Sequence, residues 1–411
     1  MAGEFKAPRG TLDLLPGASQ GHRRVVDAFE RIAGRAGFGL IETPIFEETD
    51  LFERGVGRST DIVRKEMFTF EDKGGRSLTL RPEGTAPVCR AYVEYGMSRL
   101  PQPVRLAYTG PFFRHERPQA GRYREFHQTG VEVIGSASPL ADAEVISLLD
   151  ALLSELEVPD VVLRLGSLGS QATRREYLSG LTAYLESRSG ELSEDVRDRI
   201  DTNPLRAFDS DHEGTARVME DAPLLIDHLD SADLQHFEEV KALLDSAGVG
   251  YVVDPTLVRG LDYYTRTVFS FTCDRLGAQS EIGGGGRYDD LVAQLGGPDT
   301  PAVGWAAGVE RILLALEHQP DDPGLDLFIT WIGEDGAVQV PGLARRMRAD
   351  GLGVGFDLGG RNLKGQLKQA DRAGARWALI LAEDGTAELK EMASGEQRPV
   401  EPAEVPSLIL G

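Results

Sequence analysis

The sequence predicts a mixed α/β fold of the α+β kind. It should combine a largely antiparallel sheet with covering helices, a helical insertion and a small C-terminal α/β domain. Three observations carry that expectation. Strand patterns between Leu40 and Ile134 come in runs with few crossover helices. An acidic, helix-rich stretch over 171–247 interrupts the pattern, which resumes from Tyr251 to Glu317. Beyond a linker at His318–Gly324, residues 325–381 alternate strand and helix as βαβαβ. A length of 411 residues suits two or three domains. The expected boundaries are 1–170 with 248–319 for one domain in two segments, 171–247 for the insertion, and 325–411 for the tail.

The elements follow in order. Val25, Val26, Phe29, Ile32 and Ala36 recur at helical spacing, and Gly37 stands where a C-terminal cap belongs. Leu40–Phe46 reads as a strand bent or edged by Pro44. Leu78–Arg81 and Val104–Arg117 are extended, and Arg124–Ile134 is the returning partner of the second. Ser138-Pro139 opens a helix to about Leu156, with serine as N-cap and proline in the first turn. In the tail, Leu325–Ile332, Gly353–Phe356 and Trp377–Leu381 read as strands, and Val338–Ala349 and Asn362–Ala373 as helices.

Composition narrows the function classes. The two cysteines, Cys89 and Cys273, are too few and too far apart for a disulfide ladder or a zinc framework. No apolar run reaches the ~18 residues a membrane span needs. The opening Met-Ala-Gly-Glu-Phe-Lys lacks the apolar core of a secretory signal, so a cytoplasmic location is expected. Net charge is −22, which argues against non-specific binding to polyanions. Residues 171–247 hold eighteen acidic against eight basic residues, nearly half of that excess. Basic surfaces remain available elsewhere.

Four stretches carry chemistry. In Pro111–Gln128 two extended arms flank a Pro/Gly loop, as in a hairpin. Alternation puts Phe112, Arg114 and Glu116 on one face with Phe126, Gln128, Gly130 and Glu132. A solvated outer face is the ordinary reading of a charged strand. Here the other face holds His115, Arg117, His127 and Thr129, so neither face is apolar, and a ligand cradle is the better reading. Leu257–Tyr264 sets Arg259 beside a glycine and before paired tyrosines, a fork for phosphate or carboxylate, or else a core tyrosine pair with a surface arginine. Glu281–Asp289 is a glycine run in a strand-like context. It is no P-loop, because no Gly-Lys-Ser/Thr follows, and no G-x-G-x-x-G opens a helix elsewhere. In Val303–Arg311 a strand runs into a helix whose apolar face is Val309, Ile312, Leu313 and Leu316. Arg311 then points off that face in the first turn, where a helix favours anions.

These stretches, in this order, resemble the histidyl-tRNA synthetase family of class II aminoacyl-tRNA synthetases. Phe-Arg-His-Glu-Arg-Pro-Gln is similar to the class's second motif, and Gly-Val-Glu-Arg before an apolar helix to its third. Ile41–Gly57 resembles the first motif, which implies a homodimer. Leu257–Tyr264 and Gly284–Asp289 resemble blocks special to the histidine enzymes, and Thr79–Thr85 their amino-acid-binding strand. The tail resembles an anticodon-binding module.

The resemblance implies a histidine--tRNA ligase activity, in which L-histidine joins tRNA(His) through a histidyl-adenylate. ATP with Mg²⁺ would be a substrate, AMP and pyrophosphate would be released, and no zinc, haem or flavin is expected. Catalytic roles would fall to Arg259, Arg114 and Arg311. Histidine would be bound by Glu83, Thr85, Gln128, Glu132, Arg259, Tyr263, Tyr264 and Tyr288. ATP would meet Arg114, Glu116, Arg122, Phe126 and Arg311, and tRNA would meet Gln119, Arg361, Lys364, Lys368 and Arg372. The last four have helical spacing in a segment with one acid, Asp371, and are expected on one face. Gly365 and Asp290 depart from the family's usual residues. The alternative is a non-catalytic, synthetase-like regulatory subunit of ATP phosphoribosyltransferase. Retention of Arg259, Tyr263, Tyr264, Arg311 and the tail favours the enzyme.

Overall fold

A computed structural model describes residues 5–58, 60–277, 280–316 and 324–411. The expected linker at His318–Gly324 lies outside the described residues except for Gly324. The chain forms two compact units, Met1–Pro320 and Asp321–Gly411.

The first unit opens with α1 (Ala18–Arg35), whose Val25, Ala28, Phe29 and Ala33 face the core. Gly37 takes φ +76° just after it, and the Phe38 amide turns back onto the Ala33 carbonyl. The strand expected over Leu40–Phe46 is instead two pieces, β1 (Gly39–Leu40) and β2 (Phe46–Glu48). Pro44 has no amide to donate, so the pairing breaks around it. Next come α2 (Thr49–Gly55), β3 (Phe68–Glu71), β4 (Ser77–Leu80) and α3 (Thr85–Glu94). The long hairpin is β5 (Val104–Phe113) with β6 (Glu125–Ile134). Helix α4 (Pro139–Glu155) starts at Ser138, whose side chain accepts the Leu140 amide. It leads to β7 (Val161–Ser167).

Residues 171–247 hold α5 (Gln171–Glu186), α6 (Glu194–Arg197), α7 (Glu213–Glu220) and α8 (Ser231–Ala247). The last of these buries Phe237, Val240 and Leu244 in the same core as α4. The strand pattern resumes with β8 (Val252–Val253), β9 (Thr265–Cys273) and β10 (Glu281–Arg287). Then come α9 (Leu291–Gln294), β11 (Ala302–Gly308) and α10 (Val309–Ala315).

Eight strands form one sheet in the order β1-β5-β6-β11-β10-β9-β7-β8. Only the β1–β5 and β7–β8 pairs are parallel. A smaller sheet, β2-β4-β3, lies beside α2 and α3, which enclose an apolar cluster of Phe52, Val56 and Ala86. One face of the large sheet packs Ala107, Val131, Val133, Trp305 and Phe269 against α1, α4, α8 and α10. The hairpin is therefore not polar along both faces, as the sequence suggested. Ala107, Val131 and Val133 of its core-side face are buried, while Arg105, Thr109, Thr129, His127 and Glu125 are the polar residues of the same row.

The second unit contains β12 (Leu327–Trp331), α11 (Gly333–Ala349), β13 (Val354–Phe356), α12 (Leu363–Arg372) and β14 (Trp377–Leu381). Parallel pairing of β12 with β13 and β14 gives the expected βαβαβ core. Two antiparallel strands, β15 (Ala387–Glu391) and β16 (Gln397–Pro399), extend it, and α13 (Val405–Leu410) follows.

Candidate active site

A cavity of about 610 Å³ opens on the other face of the large sheet. Arg114, Arg259 and Arg311, from three distant segments, all line it. So do Glu83, Thr85, Glu116, Arg122, Phe126, Gln128, Tyr263 and Tyr264. Glu132 and Tyr288 do not; both are buried behind the wall.

The hairpin register explains how one wall is assembled. Phe112 pairs with Phe126, Gly110 with Gln128, Tyr108 with Gly130 and Leu106 with Glu132, so alternate residues present together. Arg114 extends this row, its backbone amide donating to the Arg124 carbonyl. Its guanidinium lies 5.5 Å from the centroid of the Phe126 ring, and its Nε donates to the Pro82 carbonyl at 2.9 Å. Glu116 accepts from Arg122 Nη1 at 3.0 Å.

Glu83 lies just ahead of α3, where its carboxylate accepts the Thr85 and Ala86 amides at 2.7 and 2.9 Å. Burial raises its pKa and these amides oppose the rise. Behind Thr85 sits Glu132, fully buried. It accepts from the hydroxyls of Thr85 (2.7 Å), Tyr108 (3.4 Å) and Tyr288. Burial pushes its carboxyl up to about 8, against those three hydroxyls. The room Gly130 leaves is taken by Tyr108: a Cβ on Gly130 would run into its ring. Gly304, paired with Glu132 across β6 and β11, matters more. A Cβ there would overlap the Glu132 carboxylate itself.

The glycine run is a strand, β10, and not a flexible loop. Its bare backbone lets Arg259 lie against it; a Cβ on Gly284 would stand 3.0 Å from Arg259 Nη1. Arg259 donates to Glu281 at 2.7 Å, and Arg311 Nε donates to the Glu281 backbone carbonyl. Burial opposes the Arg259 charge, yet Glu281 and then Tyr264 outweigh it and raise the pKa. The Glu281 carboxyl is held below its ordinary value by Arg259 and then Arg311, also against desolvation. Tyr263 and Tyr264 lie tilted against each other with centroids 4.8 Å apart, and burial pushes the Tyr264 hydroxyl up to about 12.

Two buried polar atoms among the cavity residues, Gln128 Oε1 and Arg259 Nε, have no hydrogen-bond partner. Such groups are costly to leave dry and unpaired, so they fit a polar ligand at this place.

Several residues here escaped the sequence reading. In the sequence Glu281 is only the first residue of a glycine run, and pairing with Arg259 reveals its role. Arg206, Asp209 and Asp211, from the acidic segment, also line the cavity. Arg287 is wholly buried, with Nε donating to Asp142 at 3.2 Å and Nη1 to the Ser136 carbonyl at 2.7 Å. It ties the end of β10 to the start of α4. The Gly-Arg-Tyr-Asp string was the available signal. Asp290 stands just before α9 without a side-chain cap bond, and the structure does not explain why an aspartate is there.

In the second unit, Lys364, Lys368 and Arg372 are exposed on α12. Arg361 is not on that helix, contrary to the spacing argument. Asn362 caps α12 by accepting the Gly365 amide, which places Arg361 outside it, bonded to Asp357 at 2.5 Å. Gly365 makes room for that arrangement, since a Cβ there would sit 2.9 Å from Arg361 Cβ. Gln119 is exposed at the hairpin tip, bridged to Arg122.

Comparisons with known proteins agree on a family. Residues 10–312 match the family model described as histidyl-tRNA synthetase, and 328–411 match one described as anticodon binding domain. A histidine--tRNA ligase of Nocardia farcinica is 49% identical over 409 residues, covering 98% of this chain and 96% of its own. The apo histidyl-tRNA synthetase of S. aureus superposes with a TM-score of 0.83 at 36% identity, covering 99% of this chain and 100% of its own. A Bacillus halodurans structure titled as an ATP phosphoribosyltransferase regulatory subunit/histidyl-tRNA synthetase has a TM-score of 0.69. At 24% identity, with 93% of this chain and 99% of its own covered, it shares the fold.

Proposed function

This chain belongs to the histidyl-tRNA synthetase family, and on that footing we propose that it ligates L-histidine to tRNA(His) at the expense of ATP. The observation that carries the reading is the meeting of Arg114, Arg259 and Arg311 in one cavity, with buried Glu132 just behind its wall. The relatives named histidine--tRNA ligase favour this over the regulatory alternative.

In the first step the histidine carboxylate attacks the α-phosphorus of MgATP, and pyrophosphate leaves. A carboxylate with a pKa of about 3.5 is already ionised at neutral pH, so no general base is needed. The chain's contribution is positioning and charge compensation. Arg114 holds the α-phosphate. Arg259 bridges it to the histidine carboxylate, and Arg311 meets the γ-phosphate. Phe126 offers a face to adenine, with Glu116 and Arg122 beside it. The ammonium goes to Glu83, with Gln128 alongside.

The imidazole needs two partners. Tyr264 and Glu132 serve, with Tyr263 and Tyr288 fixing their orientation. To reach Glu132 the imidazole N–H displaces one of the hydroxyls that cover its carboxylate. An amino acid lacking that N–H leaves a buried carboxyl badly matched, which is the basis of selection. In the second step the terminal ribose hydroxyl of tRNA takes the histidyl group and AMP leaves. Gln119 at the hairpin tip meets the acceptor end, and Lys364, Lys368, Arg372 and Arg361 meet tRNA phosphates.

We further propose a homodimer in the cytoplasm. Exposed Leu40, Ile45, Phe46 and Phe70, around the segment similar to the class's first motif, support the dimer. Histidine-dependent ATP–pyrophosphate exchange on the purified protein tests the activity. Exchange with histidine alone supports it; no exchange with histidine overturns it.

A further inference from the structure

At the cavity's edge, where Glu310 is part of its lining, α1, β6 and α10 bring together His22, His127 and Glu310. Each is half-buried, and one ligand atom from each lies within 4.8 Å of the others. The two imidazoles meet edge to face at 4.3 Å between centroids. His127 Nδ1 lies 3.2 Å from a Glu310 oxygen, and the His127 backbone amide donates to both carboxylate oxygens, at 2.9 and 3.0 Å. His22 Nε2 is buried without a hydrogen-bond partner.

We propose that His22, His127 and Glu310 form a binding site for a divalent transition-metal ion, Zn²⁺ by its ligand set. Two imidazoles and one carboxylate are a donor set that suits zinc, with a fourth position left for water. Zinc–ligand bonds of about 2.0–2.2 Å require the donors to close by roughly 1 Å or more. Rotation of the His22 side chain on α1 supplies that closure. The backbone amide of His127 holds the Glu310 carboxylate in place, as supporting hydrogen bonds do around metal ligands.

The sequence showed none of this, because the three ligands come from segments about a hundred or more residues apart; it led to an expectation of no zinc. The site also has a structural consequence. His127 lies between Phe126 and Gln128, and Glu310 precedes Arg311, so an ion there would pin two segments that line the cavity. Binding of the ion would require neither an amino acid nor tRNA.

The test is Zn²⁺ binding to chelator-treated full-length protein, by competition with a chromophoric chelator and by metal analysis after gel filtration. Wild type should retain one Zn²⁺ per chain. His22→Phe should weaken it more than about 100-fold, beyond the 10–100-fold typical of losing a supporting hydrogen bond. His22→Cys, which restores a ligand, should recover binding, and circular dichroism verifies that both variants fold. No Zn²⁺ retained by wild type, or equal affinity in His22→Phe, overturns the proposal. So does failure of a folded His22→Cys to recover binding.

Discussion

Arg259 Nη1 and Glu281 Oε2 are 2.7 Å apart, so one arginine of the cavity is already paired with an acid of the same chain. Glu281 is exposed, and a triphosphate held by Arg259 and Arg311, as proposed, would bring more negative charge beside its carboxylate. Glu281→Gln keeps a hydrogen-bond acceptor and removes that charge. The expected result is an ATP KM lower by about two- to fivefold, the scale of a partly exposed ion pair. Exchange kinetics at fixed histidine check it; an unchanged or higher KM would show that Glu281 does not compete with ATP.

Arg259→Ala should slow adenylate formation by about 10²–10³-fold, comparable to losing one preorganised donor to a developing charge. Histidine affinity should move far less. Single-turnover adenylation alongside equilibrium histidine binding separates the two effects, and equal losses would remove the transition-state role.

The proposed contact of the imidazole with Glu132 would make histidine binding pH-linked. Its carboxyl is pushed up to about 8 in the empty protein and is mainly protonated at pH 7. Accepting an imidazole N–H favours the ionised form, so binding should release up to about one proton near pH 7, and affinity should rise as the pH rises toward 8. Calorimetry in buffers of different ionisation enthalpy measures the release, which Glu132→Gln should abolish. The sign for stability is opposite. Between the ordinary carboxyl range and pH 8 the unfolded chain holds fewer protons than the folded one. The empty protein therefore loses stability as pH rises through that window, and the glutamine variant loses less.

Gly304→Ala should cost about 1–3 kcal/mol, the usual range for overpacking, because the added methyl meets the Glu132 carboxylate. A urea midpoint gives the stability change, and histidine affinity should fall with it. Gly296→Ser makes a useful contrast, since a Cβ there meets nothing within 4 Å; its cost comes from a φ of +90° alone.

Replacing Lys364, Lys368 and Arg372 together by alanine should weaken tRNA binding. The slope of log affinity against log salt should flatten by roughly two to three, near one for each phosphate left without a cation. Histidine-dependent exchange without tRNA should be unchanged. Filter binding at several salt concentrations distinguishes this from Arg361→Ala, which should have a smaller effect because Asp357 already pairs with Arg361.

Much of this site was legible because its residues cluster in short strings. Alternation placed Arg114, Phe126 and Gln128 on one wall, and the strand-to-helix switch placed Arg311. What could not be read was how separate segments meet: Glu281 on Arg259, Arg287 on Asp142, Tyr108 filling the space over Gly130. The first two depend on how distant strands and helices are ordered around β10, which no local pattern encodes; the third depends on which side chain fills the gap within a hairpin the sequence did show. The split of Leu40–Phe46 was misread because apolar residues continue across Pro44 while backbone pairing does not. Arg361 was misplaced because spacing alone cannot tell a helical residue from the one before its cap.

Part of the chamber around Glu132 is bare main chain: Gly304 stands directly opposite it, and Gly130 and Gly84 lie under Tyr108. Walls of that kind cannot be whittled back. A redesign for a bulkier amino acid has to shorten the tyrosines themselves, whereas adding a single methyl at any of these glycines is enough to make the chamber smaller.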